Sequence, residues 1–149
     1  MEPHVLDFGI AKLIDHSSAS AHFTSVMGTI GYFPPETAFT TTTTMAKIKK
    51  RDVYSYGVVL LELITRKKAL DPSFPEDTNI AKWVFSTWNS NKAIEDIVDP
   101  SLVDEFVDSA VMVEVIKVML VALRCTSKDP SHRRTMRDVV KQLKDAKVK

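Results

Sequence analysis

The segment from Val53 to Ile64 constrains the fold of this 149-residue chain more than any other. Apolar residues fall on nearly every side of it when it is drawn as a helix, and such a helix must be buried in the middle of a domain. It contains Glu62 and is much shorter than the roughly 20 apolar residues of a transmembrane helix. We therefore predict a buried central helix that begins at Asp52 and ends in basic residues 66–68.

Composition excludes several classes of protein. Lys and Arg number 20 against 19 Asp and Glu, so a formal charge of +1 gives no reason to expect binding to nucleic acid or to a membrane surface. A single cysteine, Cys125, excludes an internal disulfide framework and a paired-cysteine zinc site, and its apolar neighbours predict a core position. The four histidines lack the spacing of metal ligands. The start of the chain does not have the pattern of a signal peptide.

The rest of the chain favours a mainly α fold. Residues 15–44 have the Ser, Thr, Gly and Pro content of a long loop, and short strands are expected only near residues 4–6 and 10–14. Helices are predicted for residues 80–88 and 111–125, and Trp83 and Trp88 are expected to be packing anchors. A capping box formed by Thr135 and Asp138 predicts a last amphipathic helix. The basic run at residues 47–51 is expected to be a solvated part of the loop before the central helix.

Four motifs follow one another in the sequence. Asp-Phe-Gly at residues 7–9 is, alone, equally consistent with a turn after a strand. The others are Gly-Thr-Ile-Gly-Tyr leading into Pro-Pro-Glu at 28–36, Asp-Val-Tyr-Ser-Tyr-Gly at 52–57, and Asp-Pro at 129–130 followed by Arg133. In this order, with 29 positions between Asp7 and Glu36, they resemble the second half of a protein kinase domain. The segments DFGIAKLID, GTIGYFPPE and DVYSYGVVLLELITRKKAL are similar in sequence to those of plant leucine-rich-repeat receptor-like serine/threonine kinases of the danger-peptide receptor type.

The resemblance covers essentially the whole chain and implies its architecture. It implies the incomplete C-terminal lobe of the protein-kinase fold, with residues 1–36 as the activation segment and residues 37–149 as the helical lobe. In complete form, such a receptor transfers the γ-phosphate of ATP to Ser or Thr of proteins in transmembrane signalling. Its partners would be protein substrates and other receptor kinases. Its place would be the cytoplasmic side of the plasma membrane, whereas this chain alone is expected to be soluble and cytoplasmic.

The resemblance also implies roles in binding the nucleotide and the substrate. Asp7 would hold the Mg²⁺ that bridges the phosphates of ATP, a role that suits a hard carboxylate. Phe8 would pack inward, and Gly9 would give the backbone freedom to flip. Thr29 and Tyr32 would form the loop on which the substrate peptide docks.

Further residues would form the framework or be modified. Glu36 would pair with Arg133 and tie the activation segment to the last helices. Asp52 would hydrogen-bond the backbone of the catalytic loop and, as a residue at a helix start, could cap its helix at the same time. Thr24, Ser25 and Thr29 are candidate phosphorylation sites, as a phosphate would add charge able to order the loop.

Other parts of a kinase have no match in the sequence. Nothing matches the Gly-rich loop, the ATP-contacting lysine, its glutamate partner or the His-Arg-Asp catalytic loop that holds the general base. We therefore expect no catalytic base in this chain and no activity of the chain alone, and we interpret Met1 as an internal methionine of a longer protein. Pro34, Arg51 and Arg134 depart from the family pattern. Two alternatives stay open: a non-catalytic kinase-like binding or decoy module, and a degenerate gene fragment.

Overall fold

The structure is a computed structural model, and it describes residues 4, 6, 8–9, 21–22, 28–39, 42–43, 45–90, 92–103 and 109–147. Five α-helices form most of it: α1 (Met45–Thr65), α2 (Ile80–Asn89), α3 (Pro100–Val103), α4 (Ser109–Cys125) and α5 (Met136–Ala146). Short 3-10 helices lie at Pro35–Phe39, Ile94–Asp96 and Pro130–His132. The described residues are therefore mainly α, as the sequence predicts.

The central helix begins earlier than predicted. It starts at Met45, so Asp52 lies in its third turn and cannot be its N-cap. The basic run at residues 47–51 consequently belongs to the helix and not to the preceding loop. No glycine or proline interrupts residues 45–52, and Met, Ala, Lys and Arg are good helix formers, so the helix extends through them.

The core forms where α1 packs against α4, with α2 on one side and α5 against α4. Val58 and Leu61 of α1 are buried against Met119 and Ala122 of α4. The predicted burial of α1 is correct for most of the helix but not for one stripe, where Val59 is 40% and Leu63 is 70% exposed. Among the described residues, no helix has the length and hydropathy needed to cross a membrane.

The smaller sequence predictions for the helical part are confirmed. Thr135 and Asp138 form both hydrogen bonds of a capping box at the start of α5. Trp83 is half-buried and stacks on Phe74 with 5.2 Å between ring centroids. Cys125 lies in the core, where burial raises the pKa of its thiol to about 11.

The first third differs from a plain loop where it is described. Two short strands, β1 (Ala21–His22) and β2 (Thr42–Thr43), pair antiparallel, and Ala21 lies opposite Thr43. β-branched threonines suit such a pairing. Residues 4 and 6 are not in a strand, contrary to the prediction, and the strand predicted at residues 10–14 lies outside the described residues.

Gly57 allows the close approach of α1 and α4, so we predict that Gly57→Ala destabilises the fold. A Cβ atom there would lie 2.6 Å from the Cβ of Cys125 and 2.9 Å from the Cγ2 of Thr126. Gly→Ala inside a helix ordinarily stabilises it by about 1 kcal/mol, but here overpacking should lower the free energy of unfolding by about 1–3 kcal/mol. Urea denaturation followed by circular dichroism measures this loss.

Leu63→Ala on the exposed stripe of the same helix is the matched control, with an expected change of about 0.5 kcal/mol or less. A Gly57→Ala variant as stable as the parent chain would show that α1 and α4 can move apart at no cost.

Candidate functional site

The side chains of Glu36 and Arg133 meet across 97 positions of sequence. Nη1 of Arg133 donates to Oε1 of Glu36 at 2.6 Å, and Nη2 donates to Oε2 at 2.9 Å. Two parallel, charge-assisted hydrogen bonds of this kind fix the carboxylate in both position and orientation. The structure thus brings together the two residues for which the sequence analysis predicts an ion pair.

Arg133 is enclosed by three parts of the chain. Its side chain has no exposed surface, and its Nε donates to the carbonyl of Ser127 at 2.8 Å. The guanidinium carbon lies 4.9 Å from the ring centroid of Tyr54 on α1, at cation–π distance. The Lys50 ammonium donates to the backbone carbonyl of Arg133. Arg133 therefore joins the segment of Glu36, the central helix and the turn after α4.

The surroundings of Glu36 favour its ionised form. Burial of the carboxyl opposes ionisation, but the hydrogen bonds from Arg133, a backbone hydrogen bond and the positive charges of Arg133 and Arg51 together outweigh it. The pKa of Glu36 is consequently lowered from its ordinary value of 4.5. At neutral pH the two side chains therefore form an ion pair, and the buried guanidinium of Arg133 depends on the Glu36 carboxylate for charge compensation.

Tyr32 is anchored to α1 at two points. Its hydroxyl donates to the carboxylate of Glu62, 2.9 and 2.8 Å from the two oxygens, and this contact is the main cause of the raised pKa of Tyr32. The same carboxylate accepts from the backbone N–H of Ala69 at 2.8 Å. Ser55 Oγ donates to the backbone carbonyl of Tyr32, also at 2.8 Å. The loop of residues 28–33 is thereby fixed against the central helix.

The same loop leaves residues at its tip open to solvent. Thr29 and Ile30 are exposed, whereas Tyr32 is half-buried. Gly31 has φ +100°, and a Cβ there would lie 3.0 Å from the Cβ of Ala69, so glycine suits the close approach to the turn that follows α1. Of the two residues predicted to dock a substrate, Thr29 is free to make contacts and Tyr32 holds the loop.

Asp52 projects from α1 without a hydrogen-bond partner among the described residues. Partial desolvation raises the pKa of its carboxyl, and no described donor compensates. The capping role is wrong because the helix begins at Met45. The predicted contact with a catalytic loop stays a prediction.

Of the site residues predicted at positions 7–9, the structure describes Phe8 and Gly9. The prediction that Phe8 packs inward is wrong for this structure, where Phe8 is 68% exposed. Phe8 belongs to neither hydrophobic cluster of the described core. Gly9 is exposed as well, and Asp7, Thr24 and Ser25 lie outside the described residues.

The described residues do not by themselves fit a nucleotide-bound metal. No group of three or more His, Cys, Asp or Glu side chains among them is placed to hold a metal ion. Mg²⁺ prefers near-octahedral coordination by oxygen, and Asp7 would supply a single carboxylate.

The sequence analysis missed the roles of Glu62, Ser55 and Tyr54. Glu62 had a visible signal, since it is the one acidic residue inside an apolar run, but the prediction used it only to exclude a membrane span. Ser55 and Tyr54 gave no comparable signal, because a hydroxyl or an aromatic ring on a buried helix is ordinary.

The losses of stability caused by removing the two members of the ion pair should not be additive. Glu36→Gln leaves the fully buried guanidinium without its counter-charge, so we expect the free energy of unfolding to fall by about 3–5 kcal/mol. In a double-mutant cycle with Arg133→Met, the double variant should be at least about 1 kcal/mol more stable than additivity predicts.

Arg134→Met is the matched control for that cycle, because Arg134 is the exposed neighbour and should change stability by about 0.5 kcal/mol or less. Strictly additive losses in urea denaturation would show that the two side chains do not stabilise each other.

The pair should also make stability dependent on pH. A carboxyl whose pKa is lower in the folded state stabilises the protein above its unfolded value, here 4.5, and this contribution is lost as the pH falls through the folded pKa. The stability gap between the parent chain and Glu36→Gln should therefore shrink as the pH drops below 4.5. Denaturation at a series of pH values measures the gap, and a gap independent of pH would contradict the ion pair.

Comparisons with a family model and with known proteins both match this chain to protein kinases. The family model for the protein kinase domain matches residues 2–143. A receptor-like protein kinase of Ipomoea nil is 59% identical over 96% of this chain, and the leucine-rich repeat receptor-like protein kinase PEPR1 of Arabidopsis thaliana is 52% identical over 99%. The chain spans only 12% and 13% of the length of these two relatives. The chain belongs to the protein kinase domain family, and its helices form the C-terminal lobe of that fold.

Proposed function

We propose that residues 1–149 serve as the substrate-side lobe of a receptor-like serine/threonine protein kinase, which transfers phosphate from ATP to protein hydroxyls. The observation that carries this proposal is the bidentate pair of Glu36 and Arg133. Such a pair fixes the end of the substrate-facing segment on a rigid helical base, and phosphoryl transfer depends on that kind of positioning.

The loop of residues 28–33 supports a role in binding protein substrates. Tyr32 is held by Ser55 and Glu62, while Thr29 at the tip stays exposed. A loop with a fixed base and an open tip loses little entropy when a peptide binds. Thr29 would then contact the residues around the target hydroxyl.

Other roles follow from the motifs. Asp7 would contribute one carboxylate to the Mg²⁺ of the complete enzyme, and Asp52 would orient the catalytic loop. Thr24, Ser25 and Thr29 would be phosphorylated, which adds charge that can order the segment. Protein kinases act on protein substrates and generally use ATP and Mg²⁺. The relatives favour a position on the cytoplasmic side of the plasma membrane, with other receptor kinases as partners.

A chimeric kinase tests the proposal. Residues 1–149 would replace the matching segment in the kinase domain of the Ipomoea nil relative, and autophosphorylation would be measured with labelled ATP. We expect the chimera to be active and the 149-residue chain alone to be inactive, because the chain has no match to the catalytic loop. Asp7→Asn in the chimera should lower the rate by at least about two orders of magnitude.

The parent kinase domain and a chimera with Arg134→Pro, Arg51→Ser and Pro34→Ala are the controls. A folded but inactive chimera, beside an active parent, would contradict the proposal. Recovery of activity in the triple variant would then assign the loss to those three positions and favour the non-catalytic binding module.

A further inference from the structure

An open groove of about 880 Å³ lies between α2, α4 and the segment before Glu36. Its apolar surface comes from three parts of the chain: Phe33 before the 3-10 helix, Phe85 and Trp88 on α2, and Leu120 and Leu123 on α4. This volume is within the range of sites that bind small molecules or a short peptide segment. The groove lies apart from the exposed tip of the loop described above, because neither Thr29 nor Ile30 lines it.

The rim of the groove is cationic. Lys82, Arg124 and Lys128 line it, all three are exposed, and no Asp or Glu is among the described residues that line it. Lys82 donates to the carbonyl of Asp77 at 2.9 Å, and Arg124 donates to the amide oxygen of Gln142 at 3.1 Å.

Those hydrogen bonds leave the charges of the rim uncompensated. Both acceptors are neutral, and no ion pair of these three cations is found in the described part of the chain. His132 also borders the groove and lies near the charge of Asp129. The cationic rim therefore consists of Lys82, Arg124 and Lys128.

We propose that this groove binds a segment of a partner protein in which one or two bulky apolar side chains are flanked by carboxylates. The apolar floor would take the bulky side chains, and the three cations would face the carboxylates at the rim. Asn89 and Ser127, which also line the groove, offer neutral hydrogen-bonding groups for a peptide backbone.

The shape of the groove favours a protein segment over a fatty acid. Phe85 is 59% exposed, so one wall stands open to solvent along α2. An acyl chain placed there would leave much of its length in water, whereas a peptide can bury selected side chains and keep its polar backbone at the surface.

A ligand in the groove would also contact residues that hold the segment of Glu36 in place. Phe33 and Pro35 lie just before Glu36, and Tyr54 in the floor lies under the guanidinium of Arg133. A ligand that binds only this arrangement stabilises it by mass action. The proposed partner would therefore hold the segment of Glu36 in place, and this consequence depends on the fold and not on phosphoryl transfer.

Three pools of displayed nine-residue peptides test the proposal on the 149-residue chain. The first has acidic residues flanking a varied apolar centre, the second has lysine in place of the acidic residues, and the third has alanine in place of the apolar centre. We expect enrichment from the first pool only. Dissociation constants of enriched peptides, measured by fluorescence anisotropy, should rise with added NaCl because exposed charges are screened.

Variants then locate the binding site. Lys82→Glu with Lys128→Glu should weaken an enriched peptide about tenfold or more, and Phe85→Ala should weaken it several-fold, ~3 or more. Lys68→Glu with Lys144→Glu makes the same charge change at exposed residues outside the groove and should change affinity by about twofold or less. All of these side chains are exposed, and thermal unfolding of each variant checks that it is folded.

Several results would overturn the proposal. These are equal enrichment of the lysine pool, no enrichment of the first pool over the alanine pool, or equal weakening by the two double charge reversals. Oleate is the lipid probe: oleate binding that is sensitive to Phe85→Ala, without enrichment of acidic peptides, would make the groove a lipid site instead.

Discussion

The ion pair between Glu36 and Arg133 is the interaction on which the position of residues 34–39 against the helices depends. It joins residues 34–39 to the turn after α4, and it does so with a guanidinium whose side chain is completely buried. A buried cation is strongly unfavourable unless it is compensated, so Glu36 and the carbonyl of Ser127 hold Arg133 in one orientation. The Tyr54 ring adds a contact from α1. The position of residues 34–39 therefore depends on contacts made by side chains of the helical part of the chain.

Helix α1 is the scaffold for these contacts, and it also has an apolar stripe that no described residue covers. One side of it meets α4 so closely that only glycine fits at residue 57. Another side holds the loop of residues 28–33 through Ser55 and Glu62. Between them Val59 and Leu63, four positions apart and so on one face of the helix, stay exposed. An exposed apolar stripe of this kind favours association, and it is the part of α1 for which the prediction of complete burial is not correct.

Much of the fold was predictable because periodic patterns act locally. The capping box of Thr135 and Asp138 and the apolar face of residues 111–125 are visible in the sequence and appear as α5 and α4. The start of α1 was not predictable from Asp52, since a residue that favours helix starts also occurs within helices. The meeting of Glu36 and Arg133 was expected only through resemblance to kinases. The contact of Tyr32 with Glu62, 30 positions apart, and the cationic groove depend on tertiary packing, for which the sequence has no local signal.

Hydrogen exchange of the backbone amides, compared between the parent chain and Glu36→Gln under native conditions, tests the central claim most directly. If the ion pair holds residues 34–39 on the helical base, protection should be lost at the amides of residues 36–39, including the Thr37 amide that donates to the Pro34 carbonyl. Protection in the buried turns of α1 and α4 should persist, because those helices retain their apolar contacts. Unchanged protection at the amides of residues 36–39, or an equal loss throughout the chain, would contradict the claim that this pair anchors residues 34–39.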